Sequence, residues 1–372
     1  MTPDPGLASW LQLTLTPGLG NSVLRELLKR FGLPQAVLAR KRTELAAVAS
    51  ATALDALHSA AVETAVAAAL QWAEQPGHHV VTLADELYPR MLLEIPDPPP
   101  LLYARGRLEL LQRPALAIVG SRNATAQGIA NAESFARALS DAGLSIVSGL
   151  ALGIDGAAHR GGLAGPGSTI AVLGTGIDVV YPQRNADLAA EIAQRGLLLS
   201  EFPLGSGAIA HNFPRRNRLI SGLAQGCLVV EAALASGSLI TARSATDQGR
   251  EVFALPGSIH SPLSKGCHAL IKAGAKLVES AEDVLAELSG FRASASASTT
   301  AHVNGSRETV AEAPSGLLQH MGHDPVDVDS LCARAGLSAD QVCSELLKLE
   351  LAGRVAALPG GLFQRLEKGG RG

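Results

Sequence analysis

The sequence predicts an α/β protein built on a doubly wound, mostly parallel sheet, with a helical unit before it and a winged helix after it. Three observations carry this. Short β-rich runs alternate with helical runs between about 104 and 290, the pattern of repeated strand–helix–strand crossovers. Those strands are apolar on both faces, as parallel strands covered by helices on either side must be. The last block, about 315–368, reads as helical runs followed by a hairpin, which is the winged-helix order.

The first block, from about Leu7 to about Glu74, is helical: SVLRELLKRF and ETAVAAALQW repeat apolar residues at helical spacing. Between Leu15 and Asn21, LTPGLGN breaks one helix before the next, through Pro17, Gly18 and Gly20. Residues 78–115 read as a bridge, HHVVTLADELYPRMLLEIPDPPPLLYARG, whose proline cluster at 96–100 is extended. The strands that follow are ALAIVG (115–120), LSIVSG (144–149), STIAVLG (168–174), LLLSEF (197–202), CLVVEA (227–232), EVFALPG (251–257) and KLVES (276–280). Helical segments separate them, such as AQGIANAESFARALSDAG, closed by Gly143. Right-handed crossovers between such strands give a doubly wound sheet. The small, polar run at 289–314 cannot bury a core and reads as a flexible linker. Beyond it, GLLQHM, DVDSLCARAG and SADQVCSELLKLELAG are helical, with Ser330–Leu349 as a helix-turn-helix, and RVAALPGGLFQRL turns at Pro359-Gly360-Gly361. The expected domains are therefore 1–77, 78–288 and 315–368, with 289–314 as the linker.

Bulk properties narrow the function. The chain has 372 residues, 47% of them hydrophobic and only 3% aromatic, so the core rests on Ala, Val, Leu and Ile and any base-stacking platform has few rings to use. The formal net charge is −3 and the sequence pI about 6.4. Bulk positive charge therefore does not drive nucleic-acid binding, and any such binding rests on a local basic patch. Cys227, Cys267, Cys332 and Cys343 form no CxxC pair, so neither a zinc site nor a redox motif is expected, and their sparse use fits a reducing cytosol. The start MTPDPGLASW does not read as a signal peptide and no run is apolar and long enough for a span, so a cytoplasmic location is expected. No metal or cofactor is indicated.

Ligands of a doubly wound sheet bind at the carboxyl ends of its strands, so the loops there are the candidate site. After the first strand, Gly120, Ser121 and Arg122 offer a tight turn, a helix start and a permanent planar charge suited to phosphate. The alternative is a helix cap by Asn123 or Thr125 with a solvated arginine. After the second, Asp155 and His159 lie four apart in SGLALGIDGAAH (148–159) and share a helix face. Either they are an acid/base pair or, more in keeping with the missing nucleophile, Asp155 caps the helix and anchors loops. In LGTGIDVVYP (173–182), Gly174 and Gly176 mimic a dinucleotide fingerprint, but Val179 stands where its third glycine belongs, which argues against a nicotinamide cofactor. No GxxxxGK[ST] string occurs.

The loop after the fourth strand is the most informative. It gathers Arg215, Arg216, Asn217 and Arg218 at a helix start, with Phe213 beside them: charge for phosphates and a flat face for a base. Arg215 and Arg218 share a face, Arg216 points elsewhere, and one of the three is a candidate internal salt-bridge partner. Ser236, Gly237 and Ser238 begin another anion-ready helix, Glu231 at a strand end is a candidate base, and Gly257, Lys265 and Gly266 lie near the same edge.

Taken together, GSRNAT (120–125), SGLALGIDGAAH (148–159), LGTGIDVVYP (173–182), FPRRNRLISGL (213–223), VVEAALASGSLITA (229–242), GREVFALPG (249–257) and LIKAGA (270–275) resemble the DprA/Smf family in sequence and order. The match is strong over about 80–285 and looser over both flanking blocks. The resemblance implies an extended Rossmann-like fold that binds single-stranded DNA, without catalysis. It also implies a homodimer that protects incoming strands and hands them to a RecA-type recombinase during natural transformation. Carried over by position, Gly120, Ser121 and Arg122 look like a phosphate-gripping loop, Phe213, Arg215 and Arg218 like the second wall of a basic pocket, and Ser236 and Gly237 like its floor. One departure is the loop 205–212, GSGAIAHN, which carries no lysine and only His211 as a titratable base. LTPGLGNSVL resembles both a helix-hairpin-helix turn and a protein-binding helical module of the SAM kind. The last helix carries Asp340, Glu345 and Glu350 against Lys348, so the winged helix is expected to contact protein and not duplex.

The rival reading is an enzyme. Rossmann-like hydrolases that cleave the glycosidic bond of nucleoside monophosphates share such glycine-rich loops, but their PGGxGTxxE signature has only ASGSLITA as a counterpart here, and Asp247 falls too far along. A nucleotide-sensing regulator on the same fold is a third reading.

Overall fold

The computed structural model describes residues 5–288, 316–322 and 325–366; the linker reading of 289–314 lies outside the described residues. The central feature is a nine-stranded sheet. In chain order its strands are β1 (His78–Thr82), β2 (Leu101–Gly106), β3 (Ala115–Val119), β4 (Ser145–Ser148), β5 (Thr169–Val172), β6 (Leu197–Ser200), β7 (Gly226–Val229), β8 (Glu251–Ala254) and β9 (Lys276–Leu277). Their spatial order is β1-β2-β6-β5-β4-β3-β7-β8-β9. From β6 through to β9 every pairing is parallel. Every residue of β3 to β7 is buried, in keeping with the continuous apolar runs of the sequence.

The bridge reading of 78–115 needs correction. HHVVT and LLYARG are strands, paired antiparallel with each other, and β2 runs antiparallel to β6. The proline cluster masks them: it lies in the connection between β1 and β2, where a missing N–H costs no ladder bond. It reads as a linker although strand signals flank it on both sides.

Helices cover both faces. Asn212–Gly222, Ser238–Asp247 and Lys265–Lys272 place Leu219, Ala242 and Cys267 in one core with Val119 and Val229. Ala126–Asp141, Ile154–Ala164 and Ala281–Glu287 place Leu139, Ile154 and Val284 against Ile118 and Ile146 on the other. Each fully buried Leu or Ile contributes about 1.5–3 kcal/mol relative to exposure. The N-terminal helices attach at the β2 end, where Trp10, Leu11 and Trp72 pack with Leu101, Tyr103 and Leu198. Trp72 stacks on His78 at 4.4 Å and meets Tyr103 edge-on at 5.6 Å. The rest of that unit has its own core around Leu24, Leu27, Val37 and Leu54.

The C-terminal block is a winged helix. Helices Leu318–Met321, Val328–Ala335 and Ala339–Leu351 precede the hairpin of β11 (Val355–Leu358) and β12 (Leu362–Arg365). Gly360 and Gly361 turn the hairpin at φ +87° and +73°. The two-residue β10 (Val326–Asp327), which the sequence pattern does not announce, pairs with β12. Ser338 and Gln341 close a capping box at the start of the last helix. Among the described residues no helix is long and apolar enough to cross a membrane.

Candidate functional site

The direction of winding reverses between β3 and β7, at the centre of the sheet. After β3 the chain winds outward through β4, β5 and β6; after β7 it winds the other way through β8 and β9. The loops leaving β3 and β7 therefore diverge and open a crevice at the strands' carboxyl ends, where open α/β sheets bind ligands. A cavity of about 770 Å³ occupies this place. It brings together Gly120, Ser121 and Arg122 after β3, Ser236 and Gly237 after β7, and Phe213, Arg216 and Asn217 from the helix start after β6. These are eight of the residues singled out from sequence.

Arg215, Arg218 and Lys265 do not line it. Arg215 and Arg218 share a helix face, as their spacing predicts, but the face turns to Glu201. That carboxylate, 2% exposed, receives Arg218 and, at 3.2 Å, Arg215. Arg218 also meets Asp97 at 3.5 Å, and Asp97 holds Arg25 of the N-terminal unit at 2.6 Å. Arg218 thus ties the proline segment, and through Asp97 and Arg25 the N-terminal helices, to Glu201 at the end of β6. The Lys265 ammonium donates to the Ile259 carbonyl. His211 is exposed and outside the lining. The second wall of the cavity is accordingly Arg216 and Asn217, not Arg215 and Arg218.

Arg216 is 4% exposed and lies against the cavity floor. Its Nη1 donates to the Gly149 carbonyl at 2.6 Å and to that of Val172, while its Nε has no hydrogen-bond partner. Among the described residues it forms no ion pair, though the Asp155 carboxylate lines the same cavity. Burial lowers its pKa to about 10, Asp155 opposing that and Arg122 adding to it, so it stays charged at neutral pH. Gly149 makes the arrangement possible: a Cβ there would stand 2.6 Å from the guanidinium. Arg122, at the mouth, is exposed and forms no ion pair among the described residues. Two positive charges thus face one cavity with no carboxylate bound to either.

The aromatic side of the cavity is Phe213 and a residue the sequence reading passed over. Tyr181, 48% exposed, lines the same cavity with its ring 5.5 Å from that of Phe213. An aromatic just past the carboxyl end of a strand, in a chain with so few, was the available signal. Phe213 rests on Gly174, where a Cβ would come within 2.7 Å of the ring. That glycine serves the aromatic seat and not a dinucleotide turn.

The titratable candidates are tied down. Glu231 accepts from the Thr125 N–H at 2.9 Å and from its hydroxyl at 2.6 Å, and Thr125 caps the helix it begins. Asp155 accepts from the N–H groups of Gly149 and Ala151 at 3.1 and 3.3 Å; burial raises its pKa against the pull of Arg216. His159 is fully buried and accepts the Leu150 N–H at Nε2. Asp155 anchors the loop before its helix but does not cap it: the N-cap is Gly153, with no side-chain cap bond. Ser236 and Ser238 join hydroxyls at 2.7 Å at the start of the helix Ser238–Asp247, whose first N–H groups donate to Ser236 and Gly237 within the turn. The site as a whole is a partly aromatic crevice lined by Arg122, Arg216 and the Asp155 carboxylate, the last held by backbone N–H groups.

Known proteins share this organisation. A family model described as DNA recombination-mediator protein A matches residues 79–289, and one described as DprA winged helix domain matches residues 304–361. The chain is 46% identical to protein Smf of Escherichia coli over 305 residues, 82% of this chain and 81% of that protein. It is 50% identical to DNA processing protein DprA of Streptococcus pneumoniae over 206 residues, 55% of this chain and 73% of that one. Among solved structures, DprA from Streptococcus pneumoniae superposes with a TM-score of 0.66 at 40% identity, over 75% of this chain and 95% of that one. DNA processing protein A from Helicobacter pylori, described for its unique single-stranded DNA binding mode, gives 0.52 at 32% identity, over 58% and 97%. The chain therefore belongs to the DprA/Smf family and has a DNA-processing role built on a recombination-mediator domain.

Proposed function

We propose that the protein is a non-catalytic single-stranded-DNA binder of the cytoplasm. On this reading it protects incoming strands and loads a RecA-type recombinase on them during natural transformation. The observation that carries it is the pair Arg122 and Arg216, facing one crevice with no carboxylate bound to either. Buried Arg216 meets a phosphate from below, Arg122 closes on it from the mouth, and Asn217, Ser121, Ser236 and Gly237 supply neutral donors. Tyr181 and Phe213 offer faces to a base without selecting one. Lys265 lies outside the cavity and adds charge near the same edge. The relative from Helicobacter pylori supports the choice of a single strand. A non-catalytic role fits the engagement of Asp155, His159 and Glu231 by backbone and capping bonds. The match to a recombination-mediator family supports delivery to a recombinase, and a homodimer through the Rossmann-like domain would align two crevices along one strand and raise avidity. The winged helix serves a protein partner: Leu347 and Leu351, 57% and 81% exposed, stand on its last helix with Asp340 and Glu350.

Anisotropy of a labelled oligothymidine tests this directly. Arg122→Glu is expected to abolish salt-sensitive binding. Arg137→Gln, at the far end of the 16-residue helix that starts beside the crevice, is expected to leave it intact. Removal of residues after 314 is expected to leave duplex binding unchanged. Wild-type protein that holds no strand at low salt, but releases free base from a nucleotide, would move the assignment to the hydrolase class.

A further inference from the structure

The N-terminal unit holds a second concentration of positive charge. Between Arg25 and Arg42 the chain carries Lys29, Arg30, Arg40 and Lys41 as well, against the single carboxylate of Glu26. Arg25 is taken up by Asp97 and Arg42 by Asp55, each at 2.6 Å. The helix Asn21–Phe31 ends on Lys29, Arg30 and Phe31, and Gly32 turns the chain at φ +91°. The short helix Pro34–Leu38 then returns Arg40 to the same ring. Arg30 lies 5.3 Å and Arg40 5.5 Å from the Phe31 ring centroid. Two guanidinium groups on one ring repel each other, and each exposed cation–π contact offsets this only weakly. Arg40 has a single loose ion pair, to Glu44 at 3.7 Å with both side chains more than 40% exposed, of the kind that solvent readily replaces. Lys29, Arg30 and Lys41 are exposed and form no ion pair among the described residues.

We propose that this ring-centred basic patch is a second contact for single-stranded DNA, gripping the phosphate backbone of a strand that runs on beyond the crevice. The proposal rests on the single-strand reading above. Planar guanidinium groups beside an aromatic ring suit a strand, whose phosphates take the charge and whose bases take the flat faces. An acidic protein surface would use the charge alone. A second contact also explains how a chain of net charge −3 attracts a polyanion, since only local charge counts within a Debye length of about 10 Å.

The test compares oligothymidines of roughly six and roughly 40 nucleotides, the shorter matched to one binding site, against the full chain. The variant Lys29→Gln/Arg30→Gln/Arg40→Gln is expected to bind the short strand as wild type does. On the long strand it is expected to lose on the order of 100-fold at about 50 mM salt, with the slope of log affinity against log salt shallower by about 2. Arg30→Lys/Arg40→Lys keeps the charge and is expected to keep the slope while losing part of the affinity. Unchanged long-strand affinity and slope in the triple variant overturns the proposal in favour of an acidic partner, and so does a loss confined to duplex. Failure of wild type to hold the short strand would instead sink the crevice reading, leaving the long-strand comparison to decide the patch.

Discussion

Lowering the pH from about 7.5 to about 5 puts a proton within reach of a histidine that has no place for one. His159 is fully buried; its Nε2 accepts the Leu150 N–H at 3.2 Å. Its Nδ1 lies 2.7 Å from the Thr169 hydroxyl, which in turn donates to the Ile146 carbonyl at 2.7 Å. The network therefore places the single ring proton on Nδ1, and a second would sit against an N–H. Burial, then the charges of Arg216 and Arg160, hold its pKa down at about 3, against 6.5 for a free histidine. Below 6.5 the unfolded chain takes up a proton that the folded chain refuses. The stability linked to the neutral ring is thus complete above 6.5 and is lost as pH falls from there towards 3. At pH 5, about 1.5 units below the unfolded value, the loss is about 2 kcal/mol at 1.36 kcal/mol per unit. The ring is wholly enclosed, so solvent screening does not reduce this. His159→Gln removes the titration and keeps an oxygen for the Leu150 N–H. Urea unfolding of both proteins at both pH values isolates the ring from the other histidines and carboxylates. Wild type is expected to lose about 2 kcal/mol more than the variant across the interval. Equal losses would refute the proton placement.

Two further outcomes follow from the same geometry. Glu201→Gln removes the charge that Arg218, 15% exposed, and Arg215 share; it is expected to cost about 3 kcal/mol in thermal or urea unfolding, while Arg215→Gln, at the exposed partner, costs about 1 kcal/mol or less. Tyr181→Ala and Phe213→Ala are each expected to weaken single-strand binding by about 1–3 kcal/mol with the salt slope unchanged, since they take stacking and leave charge; a changed slope in either would place the ring away from the bases.

The parallel half of the fold was legible because burial on both faces leaves little choice of residue. ALAIVG, LSIVSG and CLVVEA have no polar alternation to confuse with a surface strand, and the strands they form are buried throughout. β1 and β2 were hidden by the prolines between them, and β10, two residues long, has no pattern to read. Within the site, loops could be read as loops but not as directions. Helical spacing put Arg215 and Arg218 on one face and Arg216 on another. Which face meets the cavity is decided by Glu201, 14 residues before Arg215 in sequence yet beneath the helix in space, and no local rule ties the two. The paired glycines of LGTG illustrate the same limit. Read along the chain they suggest a phosphate turn; in three dimensions Gly174 is the space that Phe213 occupies.

The acidic balance of the chain and the cationic crevice are compatible because the carboxylates nearby are already committed. Glu231 is held by Thr125, Asp155 by the N–H groups of Gly149 and Ala151, and Glu201 draws Arg215 and Arg218 aside. Arg216 is left to carbonyl oxygens, which fix its orientation without cancelling its charge. On the proposed reading, a phosphate arriving there would displace no ion-pair partner of either arginine among the described residues, one of the costs that usually erode charged recognition. The cost is borne beforehand, by a fold that buries a guanidinium with Nε unbonded and a second arginine raising its potential. That standing cost is tolerable in a sheet packed on both faces by extensive apolar cores. The neutral frame around the charge, Gly149 above all, sets where the guanidinium can lie, since a Cβ there would stand 2.6 Å from it.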